Sequence, residues 1–442
     1  MLTPQWLFAS LLVLALVLQA LLPGYRLMIV MAGAALACAG AATLGIASVS
    51  AVFAGVPWNV LLILVALGLF THRLAATQIF GLASVGLVRL ARAQPVALLV
   101  LSAIGTYLVS SVVNNLTALM VLLPVLLTVF ALSGVSQRYA AWTLGVLLVA
   151  CNLGGAATPI GDFPAVLLLG RGTLSFDRYL ADAMPVTLLC MALLLLIVVL
   201  AVRPARDVPV SVLGKRLTLV TLAQLYRGVR LDWGLLAPCL AALLGMVIGW
   251  LVLPAGWGVS PEMVAWFGAG LALLAKPREG EAVLKQAVDV ESALFLLALF
   301  LMVAVVRETG FFASVAHRLV AAPLAYEGQV VIFLIAAAVL TGLFSAGPSM
   351  AALLEVADVL AVNREAAPVY IGLALAVCAG SSLFLTAATA GPLMQTLVER
   401  AGLKDLNGTR LGFGFREFVP VGLLGFTLIL SLAIARTLWV IR

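Results

Sequence analysis

Residues 152–162 read NLGGAATPIGD and interrupt an apolar stretch that runs from LGVLLVAC (144–151) to FPAVLLLG (163–170). The glycine pair and Pro159 weaken or break a helix, because glycine costs conformational entropy and proline lacks a backbone N–H. The asparagine, the threonine and the aspartate of the stretch add side-chain oxygens at the same place. The stretch therefore predicts a helix that opens within an apolar environment and offers polar groups there.

The composition indicates that lipid is the solvent of this chain. It has 442 residues, of which 64% are hydrophobic and 10% charged, and its mean hydropathy is +1.22. Soluble domains carry about 25% charged residues. Many apolar runs approach the roughly 20 residues that cross a bilayer. We therefore expect an all-α polytopic membrane protein, integral to the cytoplasmic (inner) membrane. The first segment (5–22) lacks a basic leader, so we interpret it as a helix and not as a cleaved signal.

The charged residues and the cysteines exclude several classes of function. The formal net charge is +7, but the basic residues lie in loops, which favours a role in membrane topology over nucleic acid binding. The five cysteines all fall in apolar segments without metal-ligand spacing, so we expect packing residues. We expect no cofactor and no metal, apart from Na⁺ or H⁺ as a possible coupling ion.

The apolar runs predict ten full spans and two re-entrant helical hairpins. The hairpins, 95–132 and 328–362, are interrupted by SSVVNN (110–115) and SAGPS (345–349), and each arm is interpreted as too short to cross. The tips are expected at the middle of the membrane, where broken backbone is tolerated only if it lines a cavity or is buried in protein. The ten spans lie near 5–22, 27–48, 57–71, 139–170, 178–201, 232–253, 262–275, 291–306, 366–398 and 413–438. Two of them, 139–170 and 366–398, are predicted to be broken helices.

The two halves of the chain repeat the same order of elements. GLASVGLVRL (81–90) recurs loosely as GFFASVAHRL (310–319), and an offset near 230 residues indicates a duplicated domain. The repeats are predicted as 1–201 and 232–442, joined by the basic linker 202–231, which we expect to end in an interfacial helix (217–231). Each half holds an odd number of full spans, so the second repeat is inverted. Inverted repeats with discontinuous helices are typical of secondary transporters.

These motifs resemble the ion transporter superfamily, which includes arsenite permeases, D-type sodium/proton antiporters and divalent anion/sodium symporters with their citrate-transporter relatives. The resemblance lies in SSVVNNLTALMVLLPVL (110–126) and NLGGAATPIGDFPAVLLLG (152–170), and more weakly in LFLMVAVVRETGFF (299–312), LFSAGPSMAALL (343–354) and AVCAGSSLFLTAATAGPLM (376–394). It implies a dimeric elevator-type carrier with one site per protomer, formed by the hairpin tips and the unwound spans.

The candidate ligands share an oxygen or a helix-breaking position at these openings. Positive helix N-termini suit anions, and freed carbonyl groups suit sodium. The candidates are Asn114, Asn115, Thr117, Asn152, Gly154, Gly155, Thr158, Pro159 and Asp162 in the first half, and Ser345, Ser349, Ser381, Ser382, Thr386 and Thr389 in the second.

Several of these residues have a second, structural interpretation. The glycine pair also suits close helix packing. Ser381 and Ser382 could bond to carbonyl groups within their own helix. Asp162 is either a helix cap or a ligand for a coupling cation. Glu355 and Asp358 share one helix face and are either solvated or sense protons or cations.

The departures from the family pattern limit the substrate assignment. Antiporters typically carry an aspartate where this chain has Asn114, and many relatives have an asparagine where it has Ala165. The second tip lacks the Ser-Asn-Thr pattern of the anion symporters. No lysine or arginine lies at the predicted middle of the membrane in these motifs. An anion would therefore rely on N–H groups, hydroxyl groups and bound cations.

The favoured function is an ion-coupled secondary transporter that carries a small carboxylate or oxyanion with sodium or protons. Arsenite efflux and sodium/proton exchange are the alternatives within the same fold, and a channel is a different class. The sequence contains no HExxH, GxSxG or GxxxxGK[ST] motif, so an enzyme is not expected.

Lysine and arginine counts predict the topology. With alternating spans, 18 of the 25 basic residues fall on the side that holds the linker 202–231, and this side is cytoplasmic by the positive-inside rule. Both termini then lie outside. A cysteine placed in the linker should resist impermeant thiol reagents in intact cells, whereas one at either terminus should react. Ready labelling of the linker with protected termini would contradict this topology.

Overall fold

The computed structural model describes residues 4–172, 174–208, 212–253, 258–286, 290–344, 346–362, 364–388, 390–406 and 408–442. These ranges form α-helices and turns, without a β-strand among them. The helices are α1 (Pro4–Leu21), α2 (Arg26–Thr43), α3 (Val49–Ala54), α4 (Trp58–Ala76), α5 (Ile79–Leu90), α6 (Pro95–Ser110), α7 (Asn115–Ser133), α8 (Gln137–Ala157), α9 (Phe163–Gly170), α10 (Phe176–Ile197), α11 (Val212–Leu225), α12 (Trp233–Val252), α13 (Pro261–Leu274), α14 (Pro277–Gln286), α15 (Val290–Glu308), α16 (Phe311–Val320), α17 (Tyr326–Phe344), α18 (Ala346–Leu360), α19 (Ala367–Ser381), α20 (Gly391–Ala401) and α21 (Phe415–Ile441).

The expected all-α membrane class is confirmed. Nine helices within the described ranges are long and apolar enough to cross a bilayer. Large apolar side chains are exposed on their outer faces, as on α10, α12 and α21. This is the surface that a protein presents to lipid, where each helix satisfies its own backbone hydrogen bonds.

Both predicted breaks of full spans are present. The first broken span is α8 followed by α9, with the opening between Ala157 and Phe163. The second is α19 followed by α20, with the opening between Ser381 and Gly391. The two similar segments, 81–90 and 310–319, coincide with α5 and α16. Within the linker, α11 begins at Val212 and ends at Leu225, so the helix expected over 217–231 is shifted towards the N-terminus.

The interpretation of the hairpin arms as too short is wrong for two of the four arms. The helix pairs are α6–α7 and α17–α18, and both α7 and α17 have 19 residues. At 1.5 Å per residue each is about 28 Å long, close to the thickness of a bilayer core. The other two arms, α6 and α18, have 16 and 15 residues. Whether both helix pairs turn back within the membrane therefore remains a prediction.

The second tip is also tighter than expected. The stretch 345–349 was predicted as a break, but α18 already begins at Ala346, so Pro348 and Ser349 lie in its first turn. Proline is tolerated there because the first-turn N–H groups have no partner within the helix. Ser345 lies outside the described residues.

The helices pack as two groups. The frame helices, α1–α4 and α12–α15, contact one another, and so do the core helices, α6–α10 and α17–α21. Two of the most buried helices, α8 and α19, lie inside the core group, and α19 is buried along its whole length from Pro368 to Ser381. The opened backbone therefore lies within protein, as its unsatisfied polar groups require.

One glycine in each broken span lets it lie against the first arm of a helix pair. A β-carbon added at Gly154 of α8 would lie 2.3 Å from the carbonyl oxygen of Tyr107 on α6. A β-carbon added at Gly380 of α19 would lie 2.3 Å from the carbonyl oxygen of Ala338 on α17. Each half of the chain thus holds one such close approach between its broken span and the first arm of its helix pair.

Alanine at either glycine should destabilise the protein, because overpacking costs about 1–3 kcal/mol and the obstructing atom is backbone. The matched control is Gly68→Ala in α4, where an added β-carbon meets nothing within 4 Å. We expect Gly154→Ala and Gly380→Ala to lower the melting temperature in detergent, and Gly68→Ala to leave it unchanged or raise it. Three equal melting temperatures would contradict the close approach.

Candidate functional site

The first opening is held by side chains of the α6–α7 tip. Asp162 caps α9, and its Oδ1 accepts a hydrogen bond of 2.8 Å from the N–H of Phe163. Its Oδ2 accepts a bond of 3.2 Å from the Nδ2 of Asn115. Thr158, at the end of α8, donates its hydroxyl proton to the carbonyl oxygen of Ser111 at 2.5 Å. Both ends of the opening are therefore fixed to the tip.

Asn115 is the centre of this arrangement. Its side chain is buried, and its Oδ1 lies 2.6 Å from the hydroxyl group of Ser110. That hydroxyl also lies 2.8 Å from the carbonyl oxygen of Cys151, and its single proton serves one acceptor at a time. A β-carbon at Gly155 would lie 2.6 Å from Asn115 Oδ1, so this position has to be glycine for the amide to fit.

Asn152 joins the two halves of the chain. Its Nδ2 donates to the carbonyl oxygen of Ser381 at 3.1 Å and lies 3.2 Å from the Oγ of Ser382. These residues are about 230 positions apart and lie at the ends of the two opened helices. The amide is buried, and losing a buried partner costs about 1–3 kcal/mol. The contact therefore couples the geometry of the two openings.

The serine pair of the second opening makes the helix-internal bonds that were the alternative interpretation. Ser381 donates to the carbonyl oxygen of Val377 at 2.9 Å, and Ser382 donates to that of Cys378 at 3.0 Å. Both serines are buried. These bonds use the hydroxyl protons but leave oxygen lone pairs, which a cation can use.

The second helix pair reaches the first opening. Gly347, in the first turn of α18, lies against the ring of Phe163 and the side chain of Leu296. In the same turn Ser349 is buried, and its Oγ has no hydrogen-bond partner among the described residues. A buried hydroxyl without a partner is costly, so Ser349 is a polar group in the first turn of α18 that could still bind a ligand.

Three helices begin beside one another at this site. The N-terminus of α7 contacts that of α9 through Asn115 and Asp162, and α18 packs against α9 at its own first turn. Helix N-termini carry partial positive charge and free N–H groups. The side chains of Asn115, Asn152 and Asp162 form hydrogen bonds with amides, hydroxyl groups and backbone groups. In the described part of the chain, no lysine or arginine bonds to any of these three side chains.

Some predicted residues lie apart from this centre. Asn114 is exposed and caps α7 by accepting a bond of 2.8 Å from the N–H of Thr117. Thr386 is exposed in the second opening. Pro159 is buried at the first opening, and Thr389 lies outside the described residues.

Glu355 and Asp358 form an ion-pair cluster with a residue that sequence analysis missed. Arg171, at the end of α9, lies 2.5 Å from Glu355 Oε1 and 3.3 Å from Asp358 Oδ2. The hydroxyl of Tyr370 donates to Asp358 Oδ1 at 2.8 Å. The two carboxylates are thus neither free in solvent nor at the openings, and their pairing holds the far ends of α9 and α18 together.

Ser110 and Ser111 are further residues that the sequence analysis did not select. They lie within the quoted SSVVNN motif, and their polar character in an apolar run was the available signal. Arg171 gave no signal, because it stands at a span end, where a basic residue is ordinary.

The chain matches a transporter family and is similar to several curated proteins. The sequence model described as "Citrate transporter" matches residues 11–376. A magnetosome protein, MamN, of Paramagnetospirillum magneticum is 29% identical over 81% of this chain and 82% of its own. An uncharacterized transporter of Mycobacterium bovis is 27% identical over 79% of this chain and 80% of its own.

A solved structure has the same fold. The crystal structure of the YdaH transporter of Alcanivorax borkumensis aligns with a TM-score of 0.57, at 16% identity, over 99% of this chain and 98% of that one. The family match covers most of the chain and includes both helix pairs and the first opening. This chain therefore belongs to the citrate transporter family.

Proposed function

We propose that the protein is an ion-coupled secondary transporter that carries a small anion, a carboxylate or an oxyanion, through the site at the two openings. The observation that carries the proposal is the convergence of the N-termini of α7, α9 and α18 on one place in the buried core. Three N-termini supply N–H donors and partial positive charge. Citrate is the first substrate to test, because the family is named for it.

The coupling ion is proposed to bind at the first opening. Asp162 is the carboxylate there, and among the described residues the N–H of Phe163 and the amide of Asn115 are its hydrogen-bond donors. A carboxylate in a buried site needs a cation or a proton to be stable. Carbonyl oxygens at the opening are hard ligands of the kind that Na⁺ takes. Sodium or a proton at Asp162 would also lower the repulsion of an incoming anion.

The division into frame and core helices supports an elevator movement, and the proposed homodimer rests on the family resemblance. The contacts between the groups are mostly apolar, such as Phe163 of α9 against Phe300 of α15, whose ring centroids are 6.1 Å apart. The amide of Asn59 on α4 donates to the carbonyl oxygen of Gly170 at the end of α9. Because apolar surfaces have few directional bonds to break, the core group can slide as a body along the frame.

Other transport modes of this fold are less well supported. Sodium/proton exchange is typical of relatives with an aspartate at the first tip, and Asn114 is neutral and exposed. Arsenite efflux would use the same site and is separated by substrate tests. A channel would need an open path, whereas α8 and α19 are buried along their lengths.

The substrate class can be tested by ligand stabilisation. Purified protein should melt at a higher temperature with citrate or another small anion, and the shift should grow when sodium or acidic pH is supplied. A ligand at a hundred times its dissociation constant stabilises by about 2.7 kcal/mol. Stabilisation by arsenite or sodium alone, with no anion effect, would favour the alternatives. Uptake into proteoliposomes that requires an ion gradient and saturates would distinguish a carrier from a channel.

Asn115 and Thr158 should be needed for transport. We expect Asn115→Ala and Thr158→Ala to abolish or strongly weaken uptake, because each removes a bond that fixes the opening, at a cost of about 1–3 kcal/mol. The matched control is Thr128→Ala on α7, whose exposed hydroxyl bonds only within its own helix. Melting temperature shows whether each variant folds. Folded variants with wild-type affinity and rate would mean that the glycine-rich opening serves packing alone.

The variant Asp162→Asn tests whether this carboxylate binds the coupling ion or only caps α9. Asparagine caps a helix about as well as aspartate does, so the bond from Phe163 should survive, although the amide nitrogen of the variant can no longer accept from Asn115. If Asp162 holds the coupling ion, the change should weaken the dependence of uptake on sodium or pH more than it weakens anion affinity at saturating cation. Asp207→Asn, an exposed carboxylate far from the opening, is the control. Superimposable sodium and pH curves for wild type and Asp162→Asn would exclude a coupling role.

A further inference from the structure

A groove with a volume of about 240 Å³ lies between the start of α6 and the end of α10. Val96, Leu99 and Val199 give it an apolar wall, and Arg203 and Arg206 line its edge. None of these residues takes part in the site at the two openings. The groove is therefore a separate feature that combines apolar surface with positive charge.

The groove lies where a membrane helix leaves the lipid. The apolar run of α10 continues through a π turn (Val198–Val202), and the 27 residues from Phe176 span about 40 Å. The next residue, Arg203, is the first charge after this run. One turn before Val199, Leu196 is exposed, and Leu200 is exposed as well. The apolar surface of α10 thus leads directly to the arginines.

The two arginines are not neutralised by carboxylates within the described ranges. Arg203 donates through Nε to the carbonyl oxygen of Leu200 at 2.6 Å. The carboxylate closest in sequence, Asp207, lies 3.3 Å from Arg138. Arg138 also donates to the carbonyl oxygen of Val202 at 2.9 Å, which fixes the end of the π turn. Arg203 and Arg206 are therefore available to an anion, on a turn that Arg138 holds in place.

A phosphate group accepts hydrogen bonds from guanidinium groups and neutralises their charge. Basic pockets between membrane helices bind anionic lipid headgroups in this way. Val96, in the first turn of α6, adds a backbone N–H that has no partner within its helix. Free phosphate could use the arginines but would leave the apolar wall in contact with water. A lipid fills both parts, since its acyl chains cover the wall and the exposed leucines of α10.

We propose that this groove binds an anionic phospholipid, with the phosphate at Arg203 and Arg206 and the acyl chains along α10. The groove is formed only by core helices and by the turns that follow α10, so a lipid there would belong to the core group. The proposal concerns binding alone and does not depend on the transported ion.

The test compares lipid retention by the full-length protein. Wild type, Arg203→Gln/Arg206→Gln, and the charge-matched control Arg227→Gln/Arg230→Gln are reconstituted in nanodiscs of phosphatidylcholine with phosphatidylglycerol. The control arginines are exposed in the linker and do not line the groove. Bound lipid is then counted by native mass spectrometry after transfer to detergent.

Wild type and control should retain phosphatidylglycerol in preference to phosphatidylcholine. The groove variant should bind it about thirtyfold more weakly, since each basic contact contributes about fivefold. Equal retention by all three proteins, or no preference for phosphatidylglycerol in wild type, would overturn the proposal. So would a wild-type protein that inorganic phosphate stabilises as well as phosphatidylglycerol does, because the site would then take a free ion.

Discussion

Opened backbone inside a membrane must find its hydrogen bonds in protein, and in this chain a buried amide on one opened helix donates to the end of the other. Asn152 donates across the molecule to Ser381 and Ser382, and thereby joins the ends of two helices from different halves. Neither opening could be exposed to lipid, because each unsatisfied group there costs several kcal/mol. The burial of α8 and α19 and the approach of both helix pairs follow from this constraint.

The glycines make this solution sterically possible. Gly154 and Gly380 let the two broken spans touch the backbone of α6 and α17, and Gly155 leaves room for the amide of Asn115. Small residues at helix contacts are the usual means of close packing in membranes. Here the same glycines also weaken the helix beside each opening. The sequence left two interpretations of the glycine pair, close helix packing and helix breaking. In the structure the pair packs closely and lies directly before the opening.

The sequence was sufficient for the membrane class and for the breaks, because these depend on hydropathy and on helix-breaking residues. NLGGAATPIGD predicted the opening after α8, and SSVVNN predicted the tip that binds it. The sequence did not predict the length of α7 or the helical start of α18 at Ala346, since proline is acceptable at the start of a helix as well as in a loop. The pairing of Arg171 with Glu355 and Asp358 depends on contacts between distant segments, which local patterns do not encode.

The central claim is that one ligand site is shared by the first opening and both helix-pair tips. The most direct measurement is an experimental density map of the protein with sodium and the anion that stabilises it most. The account predicts density for the anion at the N-termini of α7, α9 and α18, within hydrogen-bond distance of Asn115 or Ser349. Anion density elsewhere, with the two openings unchanged and empty, would contradict it.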